Sequence, residues 1–278
     1  VSGRSEHAEI LDTARLAARA GRAVVASYFR QASLEVRAKG RNDFVSRADR
    51  ESEEAIVAAI RGRHPDHDIL AEEGGAVVSA DSDFTWMIDP LDGTTNFLHG
   101  LPIFAVSVAC WRRGRPVACV VLDPGQGDEY EAVAGGGAFR NGERLSVSGR
   151  AGLDGAFLAT GYPFKAHRAI DIYLALFRSI FLRAKAIRRP GAAALDLANT
   201  AAGVYDGFFE FRLGPWDMAA GILLIEEAGG VVSDLDGGDR YLDTGNLVAG
   251  TPGVHRELLA LVAEHTSESH LDETSPRG

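Results

Sequence analysis

The stretch Trp86-Met87-Ile88-Asp89-Pro90-Leu91-Asp92-Gly93-Thr94-Thr95-Asn96-Phe97 constrains this chain more than any other. An apolar run from Phe84 to Ile88 ends at an acid. A proline, a second acid and then Gly-Thr-Thr-Asn follow, a set that favours turns and helix starts. The pattern predicts strand, loop and short helix in that order. At the end of a buried strand Asp89 and Asp92 would lie close together, and like charges at that range shift each other's pKa or repel unless a cation stands between them. A divalent ion resolves the conflict. Gly93 and Thr94 then offer backbone N–H groups at a helix start, a setting suited to a phosphate. Ordinary turn chemistry leaves an alternative, with Asp92 as an N-cap and Asp89 as a strand-end carboxylate facing water.

Length and charge narrow the classes. A chain of 278 residues with 46% hydrophobic and 24% charged residues can bury a large core. A formal charge of −10 gives no electrostatic footprint for nucleic acid or an anionic membrane, so an anionic substrate needs metal ions to attract it. No apolar run approaches the ~20 residues of a membrane span, and composition predicts a soluble, cytoplasmic protein. Cys110 and Cys119 flank the turn of an expected hairpin, near each other and as reduced core thiols.

Along the chain, apolar spacing predicts a long helix over Glu6 to Phe29, a short strand around Leu34-Val36-Ala38 and a second helix from Asp49 to about His64. Ile69-Leu70-Ala71 leads into the acid pair Glu72-Glu73, which repeats the strand-then-acid order of Asp89. Phe104 to Trp111, Val117 to Leu122 and Glu129 to Ala134 read as a meander. Asn141-Gly142 signals a tight turn before a short strand at Leu145-Ser146-Val147. Gly135-Gly136-Gly137 lacks the Lys-Ser or Lys-Thr of a phosphate loop and reads as hairpin geometry. The rest alternates strand and helix: strand 156–160, helix from about Arg168 to Leu182, strand 186–188, helix 191–202, a strand at Phe208 to Phe211, a helix from Gly214 to about Ala228, strand 247–249 and a helix over about Val254 to Glu264. Asp217 falls in a first helical turn, where a carboxylate serves the dipole. His64 and His67 read as surface residues in a Pro-Asp loop.

Four separated segments line up: Asp49 in Ala48-Asp49-Arg50-Glu51-Ser52-Glu53, the Glu72-Glu73 pair, Asp89 to Phe97, and Trp216-Asp217-Met218-Ala219-Ala220-Gly221. Together they resemble the inositol monophosphatase family, the lithium-sensitive, magnesium-dependent phosphatases, from the first helix to about Glu264. Ala159 to Phe164, Arg188 to Leu197 and Pro215 to Asp217 place the resemblance nearest the bacterial inositol-1-monophosphatase branch. It implies an α/β fold, an αβαβα sandwich in one domain over 1–265. An α+β half covers about 1–150 and an α/β half about 151–265, with a disordered tail at 266–278. It also implies a homodimer. Carried over by position, Glu72, Asp89 and the carbonyl of Leu91 hold a first magnesium ion and Asp89, Asp92 and Asp217 a second. A third, weaker ion lies near Glu72. Gly93 and Thr94 match phosphate-binding positions, Gly191, Ala192, Ala193 and Glu210 match a polyol-binding wall, and Asp92 and Asp217 also face the substrate.

Ligands that are carboxylates and carbonyls, without His or Cys, suit hard magnesium rather than zinc. The reaction implied is hydrolysis of a phosphate monoester, most closely inositol 1-phosphate. Glu72 and the Thr94 hydroxyl orient the attacking water, and Asp49 fixes Thr94. One departure stands in the loop Gly191-Ala192-Ala193-Ala194, where many relatives carry Ser or Thr at Ala192. Fructose-1,6-bisphosphatase and NADP phosphatase are alternatives on the same site. A regulatory binding protein with the same fold is an alternative of another class.

Overall fold

The computed structural model describes residues 2–31, 36–40, 43–77, 82–163 and 170–266. Leu34, the Arg41-Asn42 turn, Phe164, the expected helix start at Arg168 and the expected tail beyond Thr266 lie outside these residues. Helix α1 (Ser2–Tyr28) precedes the paired strands β1 (Val36–Gly40) and β2 (Asp43–Ser46), and α2 (Arg47–Arg63) leads to β3 (Asp68–Ala71) and β4 (Gly75–Val77). Strand β5 (Phe84–Asp92) and the short α3 (Thr94–Leu98) come next. They are followed by β6 (Ala105–Arg112), β7 (Arg115–Asp123), β8 (Asp128–Val133), β9 (Gly137–Arg140) and β10 (Glu143–Arg144). The second half opens with β11 (Phe157–Thr160), α4 (Ile170–Phe181), β12 (Ala186–Arg188), α5 (Ala193–Ala201) and β13 (Gly207–Glu210). It closes with α6 (Pro215–Glu227), β14 (Val231–Ser233), α7 (Tyr241–Thr244), β15 (Leu247–Gly250) and α8 (Pro252–His265).

An eight-stranded sheet runs β10-β9-β8-β7-β6-β5-β3-β4, and a five-stranded sheet runs β12-β11-β13-β15-β14. The alternation of apolar residues sorts the layers. Trp86, Ile88, Val106, Val108 and Val120 pack with α1 and α2 on one face of the large sheet, while Met87, Ala105, Ala109, Cys119 and Val121 pack with α5 and α6 on the other. Phe208 and Ala249 of the small sheet share that inner core, and Leu158, Phe209 and Val248 turn outward onto α4 and α8. The layers therefore read helix, sheet, helix, sheet, helix, the predicted sandwich. Helix α6 is buried continuously from Met218 to Ile225, as an element pressed between two sheets must be. A Cβ at Gly221 would stand 2.4 Å from Leu197, so glycine is what lets α5 and α6 lie so close. At the far end of α6, the Glu227 carboxylate accepts the N–H groups of Gly135 and Gly137 at 2.6 and 2.7 Å, fixing the helix to the β8–β9 turn.

Several readings are corrected. Strand β5 does not stop at Asp89 but continues through Asp92. Leu145 to Val147 joins no strand: Leu145 N–H bonds Ala138 O, and Val147 N–H turns away to Ala228 O at the end of α6. Cys110 pairs with Ala118 and Ala109 with Cys119, so the two free thiols face opposite sides of the sheet. His64 and His67 are partly buried and stacked at 4.5 Å, and Trp86 Nε1–H donates to His67 Nδ1 at 3.1 Å. Among the described residues no helix is long and apolar enough to cross a membrane.

Candidate active site

The acid pair is built by a bulge. Asp89 pairs with Ser107 and Asp92 with Ala105, so β5 spends one residue more than β6 between them. In a regular strand residues three apart face opposite ways; the extra residue brings both aspartates to one face. Pro90, which has no N–H to lose, sits in the bulge, and Leu91 N–H bonds Asp89 Oδ1 at 3.0 Å. Leu91 turns its side chain into the outer core, and its carbonyl lies 3.1 Å from the Thr94 hydroxyl. Asp217 arrives as the third residue of α6, where its Oδ2 accepts the N–H of the N-cap Gly214 at 2.6 Å. Oxygens of Asp89, Asp92 and Asp217 all lie within 4.8 Å of one another.

Helix α2 backs this cluster. Ala48, Asp49, Ser52, Glu53, Ile56 and Ile60 form its buried side, so polar residues continue the apolar stripe at helical spacing. Asp49 accepts Ser46 N–H at 2.9 Å, the Ser46 hydroxyl, and the Thr94 hydroxyl at 3.1 Å. Ser52 donates to Pro90 O at 2.9 Å, and Glu53 accepts Glu73 N–H at 2.9 Å. Glu72 is partly buried, and its N–H bonds Ile88 O at 3.2 Å, which carries its charge to within reach of Asp89. Sequence reasoning missed Ser52 and Glu53; their place in the stripe of α2 was the available sign.

The other wall comes from the second half. The N–H of Ala194 donates to Asp92 Oδ2 at 2.7 Å, and the Ala193 backbone bonds the same carboxylate. Asn96 Nδ2 holds the preceding loop through Ile103 O and Pro190 O at 2.8 and 2.9 Å. Gly93 has φ 87° and is packed so that a Cβ would lie 2.9 Å from Ile103 O and 3.2 Å from Ala192 Cβ. Ala192 is 1% exposed, with its methyl group against Gly93, and Gly191 adopts φ 94°. The Glu210 carboxylate lies over Gly161, where a Cβ would be 1.8 Å away. Arg188 and Arg189 are exposed, as expected of strand-end arginines, and each stacks on a ring, Phe157 or Tyr162.

Electrostatics show what the cluster lacks. Burial, then the charges of Glu72, Asp92 and Asp217, raise the Asp89 carboxyl well above its ordinary range. Asp92 is pushed up to about 7 by burial and Asp217, against the lowering pull of the Ala194 and Ala193 amides. Burial also raises Asp49, opposed by its Ser46 and Thr94 hydrogen bonds. A buried group of carboxylates in mutual repulsion, with oxygen as its donor type, fits a hard divalent cation.

Acids from a bulged sheet strand and from the first turn of a helix in the facing half define a class: a layered α/β protein with a cluster of carboxylates at the seam between its sheets. The chain belongs to the inositol monophosphatase family, which matches residues 6–271. It is 48% identical over 259 residues to the Nus factor SuhB of Pseudomonas aeruginosa, covering 92% of this chain and 96% of that one. To the inositol-1-monophosphatase of Mesorhizobium japonicum it is 45% identical over 251 residues, covering 90% and 94%. The crystal structure of extragenic suppressor protein suhB from Bartonella henselae superposes with a TM-score of 0.88 at 40% identity, covering 93% of this chain and 100% of that one. Membership supports phosphatase activity in a family that is generally metal-dependent.

Proposed function

We propose that this protein is a cytoplasmic, magnesium-dependent phosphatase that hydrolyses a phosphate monoester, with inositol 1-phosphate as its substrate. The observation that carries the reading is the convergence of Asp89, Asp92 and Asp217 within 4.8 Å. These three would hold one magnesium ion, and Glu72, Asp89 and the Leu91 carbonyl another, with two or three ions in all. Ions bound there would supply neutralisation of charge on the phosphoryl oxygens and a more nucleophilic water. Asp49 holds the Thr94 hydroxyl at 3.1 Å, and Thr94 and Glu72 orient the attacking water. Gly93 and Thr94 receive the phosphate. Asp92 and Asp217 border the ester, and the backbone of Gly191, Ala192 and Ala193 receives the polyol with Glu210 opposite.

The test is magnesium-dependent phosphate release from myo-inositol 1-phosphate, run beside fructose 1,6-bisphosphate and NADP. Inositol phosphate should lead by kcat/KM; a lead by either competitor overturns the substrate, and no hydrolysis of any ester overturns the reading. The proposal extends to a homodimer, supported by the apolar stripe of Ile170, Leu174 and Phe181 along α4, exposed by 39%, 52% and 61%. Sedimentation equilibrium should show Leu174→Lys weakening association; an unchanged monomer fraction speaks against that face. A second reading, a binding role alongside the chemistry, is favoured by the name Nus factor carried by the Pseudomonas relative. An Asp217→Asn variant that restores growth to a strain lacking the protein would favour it.

A further inference from the structure

A cavity of about 320 Å³ opens beside α5; it shares Ile103 and Pro190 with the loops behind the active site, and none of the residues assigned above to metal, phosphate or polyol lines it. Asp196 and Asn199 of α5 and Tyr205 beyond it line one side, Tyr130 and Arg140 of the meander another. Most of its polar groups are already engaged. Tyr130 donates to Asn199 Oδ1 at 3.3 Å and lies beside the Arg140 guanidinium. Asp123 accepts the N–H groups of Gly125 and Gln126, and Asp128 accepts Asn141 Nδ2 at 2.6 Å.

Asp196 differs from all of these. It is 2% exposed, and among the described residues no hydrogen bond or ion pair reaches its carboxylate. Its neighbours on α5 are apolar, including Leu195, Leu197 and Ala198, so packing alone would accept a leucine there. The helix dipole favours an acid in the first turn, but the Ala193 and Ala194 amides of that turn already serve Asp92. Arg189 is the compensating charge that Asp196 feels, against Glu210 and Asp92, and burial raises its carboxyl well above the ordinary range. The Tyr205 hydroxyl, made less acidic by burial and then by the charge of Asp196, likewise makes no hydrogen bond among the described residues. A buried carboxylate without a partner is costly, and a group that leaves two polar atoms facing one cavity leaves room for a donor.

The ligand's class follows from size and lining. Among the described residues the grouping of acids tight enough for a bare ion is Asp89, Asp92 and Asp217, so this cavity does not suit a metal. Its volume is at the small end of organic-ligand pockets, and Ile103 and Leu195 give it apolar walls. We propose that the cavity binds a small organic cation, an ammonium or guanidinium group on a short apolar body, with Asp196 as counter-ion and Tyr205 as second hydrogen-bond partner. The Tyr205 ring adds a face on which such a cation can rest. This site is independent of the phosphatase reading.

The experiment uses the full chain with magnesium and inorganic phosphate present, so that the acid triad is filled. n-Butylammonium and agmatine are titrated against uncharged n-butanol, with binding read by ligand-observed NMR. Both cations should bind and butanol should not, and Asp196→Asn should weaken the cations by about tenfold or more, the loss of one charge-assisted contact. Equal binding of butanol, unchanged cation affinity in Asp196→Asn, or no cation binding at millimolar concentration overturns the site. If Asp196→Asn does not fold, Ile103→Trp fills the cavity from another wall; cation binding that survives it overturns the proposal equally.

Discussion

Helices α2 and α6 share one half of a capping box, an aspartate at the third position that accepts the N-cap amide, and use that aspartate differently. Asp49 of α2 is surrounded by donors: the Ser46 N–H and hydroxyl and the Thr94 hydroxyl. Asp217 of α6 accepts Gly214 N–H and stands beside other acids, Asp89 and Asp92. One aspartate is ringed by donors and holds a hydroxyl in place; the other joins a cluster of buried acids. A capping motif therefore marks a helix start, while the chemistry of its acid depends on what the rest of the fold brings opposite.

The largest effect that tests this contrast is on Asp217. Asp217→Asn should lower turnover by roughly a thousandfold, as expected for a group that acts on transition-state charge through a metal. In metal-free buffer it should raise the unfolding temperature, because repulsion with Asp89 and Asp92 is relieved, and the stabilisation by added magnesium should shrink. Asp49→Asn should do the reverse to stability, costing about 1–2 kcal/mol, since an amide NH₂ would face hydroxyl and N–H donors. Calorimetry of both variants decides: if the two shift in the same direction, the contrast fails. Gly93→Ala should cost about 1–3 kcal/mol in urea unfolding, from positive φ and crowding against Ile103 O; a smaller loss would mean the turn can relax.

The smallest effect concerns His67, far from either aspartate. Burial, with the charges of His64 and Arg61, pushes it down to about 4, so the folded protein holds the neutral ring that Trp86 needs as an acceptor. The unfolded chain binds the proton near pH 6.5. Its contribution is thus present above pH 6.5 and lost as pH falls toward 4, by no more than about 1 kcal/mol after solvent screening. His67→Phe should flatten that part of the acid limb, read by Trp fluorescence; an unchanged slope would assign it to the carboxylates.

Much of this was legible beforehand because it is local. Periodicity found the long helices, the meander and the first turn that carries Asp217. The bulge at Pro90 and Leu91 was not legible, since a three-residue spacing in a regular strand puts Asp89 and Asp92 on opposite faces. Nor was the role of α5: Ala194 stands far along the chain from Asp92, and nothing in an alanine announces that its amide will meet a carboxylate. Nor did the sequence announce that the Ala192 methyl group packs on Gly93. Ser52 and Glu53 were readable only as polar residues intruding into a buried stripe. Leu145 to Val147 alternated like a strand, but its amide was claimed by the end of α6.

Helix α6 is held at both tips, by Leu213 N–H on Gly245 O at 2.8 Å just ahead of its N-cap and by Glu227 on the Gly135 and Gly137 amides at the other end. Its 13 residues make a rod of about 20 Å between those anchor points. A rod gripped at both ends resists sliding along its axis. The helix that carries Asp217 to the acid triad is thus seated partly by a hairpin at its opposite end.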